Sequence, residues 1–394
     1  MRLLQKRDGM AFTAPWSRGG IVLTPIQHGL LGLLSLAVLG GALAGGVSLF
    51  GDPRAAGPRK VLSLAAAGNT SAARVSVTEA AVDPAAAAND DAGFYTDASN
   101  PAQPETVTGD TGDGSDTVKK LPPASPLPRA PIAGFQQPGP SGPLPIIGPG
   151  GRTPAQAYAR PFHGDTGKPK IAIIVGGLGF NARVTQSAID ELPADVTLSF
   201  VPYTANLQSW IDKARARGHE AMIELPMEPF DPDADDTGPQ TLLANGTGRD
   251  NVGKLENLLS RATGYFGVTN YQGARFAASG QASAPVAQAL KQRGLVFVGN
   301  ALGARTAFGV EAGRAGLPFT SADRIIDTQR EAEKIDDQLL NLEALALQNG
   351  SALGSGFAFP VTISQVGDWA QNLSMRGYVL APASAVMESR TARR

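Results

Sequence analysis

Cysteine is absent from the 394 residues, which excludes disulfides, thiolate metal sites and a cysteine nucleophile. Histidine is nearly absent as well: the chain has three, His28, His163 and His219. The first borders an apolar segment and the second lies in a Pro/Gly-rich stretch, so only His219 falls where the sequence has the texture of a packed domain. A histidine-rich metal site within one folded domain is therefore excluded for a single chain. Ser279 and Ser355 likewise have no histidine nearby in sequence, and a Ser-His-acid triad finds no support. Charge is also scarce, at 18% of residues against roughly 25% in ordinary soluble chains. The net charge of -1 carries neither a nucleic-acid footprint nor a strong field for a membrane surface.

What the chain has in excess is glycine (47) and proline (30), and they are unevenly placed. Residues 29–50, GLLGLLSLAVLGGALAGGVSLF, carry no charge. About 20 apolar residues cross a bilayer, and a signal-peptide core needs only about 7–15. The segment is expected to be a transmembrane helix. Arg2, Lys6, Arg7 and Arg18 precede it against Asp8, while Arg54, Arg59 and Lys60 follow it against Asp52. The slight positive excess on the N-terminal side places residues 1–28 in the cytoplasm and the remainder in the periplasm. Cleavage after Ala42-Leu43-Ala44 is the alternative reading. Gly41 and Gly45 form a GxxxG pair, whose chance rate in so Gly-rich a segment is high. Residues 51–167, exemplified by AAVDPAAAANDDAG and QQPGPSGPLPIIGPGG, lack periodic apolar faces. They are expected to form a disordered tether, with a flexible reach of roughly 60 Å. A short strand around Leu144–Ile147 is the one element composition suggests there.

From Lys168 the pattern changes. Ile171–Val175 is a continuous β-branched apolar run, as expected of a strand buried on both faces. Helical pattern at 181–191 follows, then strand-like 196–201, a helix at 205–217, strand 221–225, a polar loop at 231–250, helix 252–263 and strand 267–271. The alternation continues with helix 284–293, strands 295–298 and 323–327, helix 330–349, strand 352–355, helix 363–376 and strand 378–380. Ile335, Leu339, Leu342 and Leu345 recur at helical spacing along one face. Repeated β–α alternation argues for a parallel sheet, either barrel or doubly wound, whose functional groups gather at the C-terminal strand ends.

Those strand ends read Gly176-Gly177-Leu178-Gly179-Phe180, Glu224-Leu225-Pro226-Met227-Glu228-Pro229, Thr269 through Phe276 (TNYQGARF), Gly299-Asn300 and Gly356-Phe357-Ala358-Phe359-Pro360. With the blocks ELPADVTLSFVPY, ARARGHEAMIELPMEP and GVTNYQGARF, the order and spacing resemble the divergent polysaccharide deacetylase family over about Lys168–Ala385. The resemblance implies an α/β fold, a distorted (β/α) barrel occupying 168–388. Members of the broader deacetylase group bind a divalent metal through an aspartate and two histidines; the metal polarises the acetyl carbonyl and activates a water. Where the resemblance implies two aspartates stand Gly176 and Gly177. Glu224 replaces the histidine of a His-Leu-Pro-Met block, and Tyr271 that of an Asn-Asn-His-Met-Gly-Ser block. Gly299 stands for an aspartate, and Phe357 and Phe359 stand in a Gly-His-Pro-His block. Gly179, Pro226, Met227, Asn270, Gly273, Arg275, Asp327, Gly356 and Pro360 are retained. Turn and packing residues persist while metal ligands are replaced by groups without usable donors, so no metal and no cofactor are expected.

Each remaining residue admits two readings. Glu224 and Glu228 could act as paired carboxylates, or Glu224 lines a cleft while Glu228 is bonded structurally. Asp327 keeps a polar contact in the cleft, or a salt bridge with Arg275. His219, after Gly218, is expected to make a capping or backbone contact. Tyr271, Phe357 and Phe359 form a floor on which a sugar stacks, or they plug the emptied metal cavity. The expected cleft comprises Gly176, Gly177, Glu224, Asn270, Tyr271, Arg275, Asn300, Phe357 and Phe359. The expected protein is a single-pass inner-membrane pseudoenzyme of cell-envelope glycan metabolism. It would bind cell-wall glycan or an envelope protein partner, without nucleic acid. A rearranged-site hydrolase using Glu224, Glu228 or Asp327, and a purely structural module of an envelope complex, are the alternatives.

Overall fold

A computed structural model describes residues 124–165, 167–231, 236–303 and 305–391. The apolar run 29–50 and most of the expected tether lie outside these residues. Among the described residues no helix is long and apolar enough to cross a membrane.

The described chain opens with a small antiparallel pair, β1 (Gln136–Pro138) and β2 (Pro143–Pro145), and a short helix α1 (Pro154–Tyr158). Thr153 and Gln156 close a capping box on α1, with Pro154 at its first position. Then follow β3 (Lys170–Leu178), α2 (Ala182–Glu191), β4 (Thr197–Phe200), α3 (Leu207–Ala216), β5 (Ala221–Met227) and α4 (Gly248–Leu259). Next are β6 (Tyr265–Gln272), α5 (Ala274–Ala278), α6 (Gly280–Gln292), β7 (Val296–Gly299), α7 (Ala307–Ala315), β8 (Phe319–Ser321) and β9 (Arg324–Ile325). The chain ends in α8 (Ala332–Asn349), β10 (Ser351–Phe357), α9 (Pro360–Leu373), β11 (Val379–Leu380) and α10 (Ala383–Thr391). The strands and helices expected from residue pattern are present with ends moved by a few residues; α1, α5, α7, α10, β1 and β8 are not marked by that pattern. They are short or lack a marked apolar face.

Strand order is β8-β7-β6-β5-β4-β3-β10-β9, every neighbour parallel, with β11 joining the start of β3. β8 and β9 stand at opposite ends of this order, yet only Ala322 and Asp323 separate them in sequence. Three Cα–Cα steps reach no further than about 11 Å, far less than the width of eight strands, so the sheet must curl. The result is an α/β half-barrel of parallel strands, consistent with a deacetylase-like barrel, and the doubly wound alternative falls. Ile171, Ile173, Val175, Ile223 and Leu225 face the helices; Ala172, Ile174, Met222, Val298 and Leu353 face the interior. Burial on both sides is why β3 has no polar alternation.

The interior cluster continues into Phe135, Ala157 and Tyr158 before the sheet and into Ala383, Val386 and Met387 of α10. Residues 124–165 are thus part of the folded domain, which corrects the expected boundary of the tether at 167. The reason is borrowed burial: a Pro/Gly-rich strap needs no periodic face of its own when another element supplies the opposing surface. Its fastening is polar. The buried Arg215 guanidinium donates to the carbonyls of Pro128, Tyr158 and Gly264 at 2.9–3.2 Å. Burial lowers its pKa to about 10, with the nearby Tyr158 and Glu220 opposing. Glu220, fully buried, accepts from the Arg160 and Ser384 amides and the Thr197 and Ser384 hydroxyls, tying strap, sheet and α10 together.

Candidate functional site

The C-terminal strand ends bring Gly176, Gly177, Glu224, Tyr271 and Phe357 together. Gly176 pairs in register with Phe357, and Pro226 with Tyr271, on adjoining parts of the sheet. By strand alternation Glu224 shares the interior face of Met222. Its carboxylate, 3% exposed as a residue, accepts the Gly177 N–H at 2.6 Å. A Cβ placed on Gly176 would lie 2.7 Å from Glu224 Oε1. The side chain of Glu224 therefore fills the volume that an aspartate at 176 would need. Gly177 adopts φ +73°, a conformation that suits the absence of a side chain.

Above the carboxylate sits an aromatic group. Tyr271 is buried and meets Phe357 edge to face, ring centroids 6.4 Å apart at 88°. Val201 completes the buried pair, with half-buried Phe180, Tyr203 and Phe357 packed against it. Phe357 continues to half-buried Phe359, 6.2 Å away. Tyr271 thus packs as a plug, and the rings left at the rim are Phe357 and Phe359. Phe180 and Tyr203 went unweighed in the sequence although each lies just past a strand end. Tyr203 also braces the loop after β5, donating to the Thr237 carbonyl and accepting the Gln240 N–H. Burial pushes its phenol up to about 12.

The other acids have separate duties. Glu228 accepts the Ala244 N–H at 2.6 Å and pairs with Arg275 at 3.0 Å, which holds the loop after β5 against α5. Arg275 is thereby placed with Glu228, correcting the pairing with Asp327. Asp327 instead accepts the Phe357 N–H (2.6 Å) and the Thr362 hydroxyl (3.0 Å), joining the end of β10 to the first turn of α9. It lies beside Gly356, on the sheet face opposite Phe357. Burial raises its pKa, partly countered by those two hydrogen bonds. Asn270 accepts the Asn300 N–H and donates to the Gln272 and Asn300 carbonyls, locking the turns after β6 and β7. His219 is far from all of this, buried beneath the sheet, its ring nitrogens 2.8 Å from the Val196 carbonyl and 3.2 Å from that of Ile189. Burial lowers its pKa.

A divalent ion does not fit this donor set. Glycine supplies no side-chain oxygen and phenylalanine no lone pair, while Glu224, Glu228 and Asp327 are engaged with different main-chain N–H groups. Among the described residues no three histidines or carboxylates stand close enough to share one ion.

Comparison with known proteins places this geometry. The divergent polysaccharide deacetylase family matches residues 173–387, more than half of the chain. An uncharacterized Haemophilus influenzae protein is 22% identical over 205 residues, 52% of this chain and 72% of its own. The uncharacterized Escherichia coli protein YibQ is 23% identical over 215 residues, 52% of this chain and 63% of its own. The crystal structure of an uncharacterized Agrobacterium tumefaciens protein superposes with a TM-score of 0.60 at 36% identity, covering 62% of this chain and 99% of that one. The half-barrel with its candidate site at the C-terminal strand ends defines the class, and the chain belongs to the divergent polysaccharide deacetylase family.

Proposed function

We propose that the protein is a non-hydrolytic member of this family, which binds glycan at the strand-end rim. One observation carries the reading: the Glu224 carboxylate, bonded to the Gly177 N–H, occupies the space beside Gly176 where a metal-binding aspartate would stand. Without a Lewis acid or an available base, deacetylation has no means of activating water. The rearranged-site hydrolase is disfavoured for the same reason, since its three acids each hold main-chain structure. Half-buried Phe357 and Phe359 supply apolar faces of the kind on which the C–H faces of a pyranose stack. The uncharged run 29–50 supports a single-pass inner-membrane anchor with this domain in the periplasm, where cell-wall glycan is the available polymer.

The test has two arms. Purified protein supplied with zinc or cobalt is expected to release no acetate from N-acetylated glycan above a chelated control. Glycan-strand binding is expected to be lost in Phe359→Ala. Chelator-sensitive acetate release would overturn the reading.

A further inference from the structure

A second surface lies away from the strand-end rim, on the outer face of α8, and it does not depend on the glycan reading. The inner row of α8, Ile335, Leu339, Leu342 and Ala346, packs into the core. The outer row is not polar throughout, as a solvated helix face would be. Leu340 is 57% exposed and Leu347 68%, with exposed Ala344 between them. The turn after α9 adds Met375, 78% exposed. Its neighbour Arg376 pairs at 2.9 Å with Glu343, which lies one turn from both leucines. Three of the seven exposed large apolar side chains among the described residues therefore share one patch. Single exposed apolar residues are ordinary, whereas a contiguous group marks an interaction surface.

Spacing and charge identify the occupant. Leu340, Ala344 and Leu347 recur at intervals of four and three, the seam by which one helix packs along another. This seam is its own complement. Laid antiparallel about a twofold axis at Ala344, Leu340 meets the Leu347 position of a second copy, and the small Ala344 lets the axes approach to about 8 Å. Charge is divided along the helix. Glu331, Glu333, Asp336 and Asp337 at its start stand against Arg330 and Lys334, while from 338 to 349 the only charge is the buried, paired Glu343. Just past its end, Lys170 donates its N–H to the Gly350 carbonyl, and Val379 donates to that of Pro169. Lys168, Lys170 and Arg376 thus gather at that corner against Asp165 and Glu343. On α9 the only charge is Asp368, level with Glu343 and so opposite the uncharged half of a second copy. Antiparallel pairing sets the acidic start of each α8 towards the basic corner of the other; parallel pairing would oppose like charges.

We infer that this face is the contact between two copies of the chain, α8 against α8 in antiparallel orientation. A single helix pair buries less than the roughly 1,600 Å² of a standard interface, so the dimer is weak and reversible. The chain has no cysteine, so one thiol can be placed at a chosen position. In the full chain in detergent solution, Ala344→Cys should be captured as a covalent dimer by a short bismaleimide. Glu333→Cys should not, because at about 1.5 Å per residue the two thiols would stand roughly 33 Å apart. Leu347→Gln changes an exposed side chain and should weaken the dimer about tenfold or more in sedimentation, since each substitution is felt twice. Added salt should weaken the wild-type dimer as well. No capture at 344, equal capture at 333 and 344, or a dimer indifferent to Leu347→Gln overturns the inference. So does a monomer whose Met375 is shielded from peroxide only when phosphatidylglycerol vesicles are added, which would give the face to a bilayer.

Discussion

A size swap at Gly176 and Glu224 tests whether the carboxylate has taken over the vacated ligand position. Glu224→Ala leaves the Gly177 N–H, now bonded at 2.6 Å, buried without an acceptor. That costs about 1–3 kcal/mol. Lost packing adds about 1 kcal/mol, and relief from burying a carboxylate offsets part of the total. The net expectation is about 2 kcal/mol. Gly176→Ala puts a methyl 2.7 Å from Glu224 Oε1, too close for any real contact, so the carboxylate must move off its donor. Overpacking of this kind costs about 1–2 kcal/mol. In the double variant the methyl enters the space that the carboxylate has left. The two effects should therefore fall short of additivity by about 1 kcal/mol or more, whereas sites that do not interact add to within about 0.5 kcal/mol. Urea unfolding of the wild type, both single variants and the double variant supplies the cycle. Additive losses would show that Glu224 is not seated against Gly176, and the filled-site argument would collapse.

Asp327 makes the fold sensitive to pH. Burial raises its pKa above the ordinary 3.8, so the folded chain holds this proton more tightly than the unfolded one. Its contribution is complete below the unfolded value and is lost as pH rises through the folded value. Asp327→Asn keeps an acceptor for the Phe357 N–H and cannot ionise; relative to the wild type it should gain stability over the range in which pH rises from the ordinary 3.8 through the raised folded value. A stability difference that stays flat over that range rejects the assignment. Arg215→Met should cost about 3 kcal/mol or more, because the carbonyls of Pro128, Tyr158 and Gly264 lose their buried donor. Limited proteolysis should then cut within 124–160 before the rest of the domain. An unchanged melting temperature with a protected strap would mean that Arg215 does not fasten it.

Local pattern carried much of the architecture. The uninterrupted Ile171–Val175 run announced a strand covered on both faces, and Ile335, Leu339 and Leu342 do turn inward from α8. The strand-end rule led to Gly176, Glu224, Tyr271 and Phe357, residues from four strands that meet around one interior. The replacement of donor side chains by hydrogen and hydrocarbon was legible through the family resemblance, which says which positions to compare.

What the sequence could not contain is who faces whom. Arg275 chose Glu228 over Asp327 because the loop after β5 folds back along α5, while Asp327 lies on the other face of β10. Tyr271 became a buried plug because Phe357 arrives from a strand 86 positions later and closes over it edge-on. The strap at 124–165 carries too few apolar residues to signal a fold, yet it is ordered, since Arg215 and the underside of the sheet furnish what it lacks. Composition and periodicity are sums over neighbours in the chain, and so indicated element type and the parallel sheet, while the replaced ligand positions were visible only through the family resemblance. Sheet curl, ion-pair choice and the filling of Gly176 by Glu224 depend on distances between residues remote in sequence, which only the folded backbone sets.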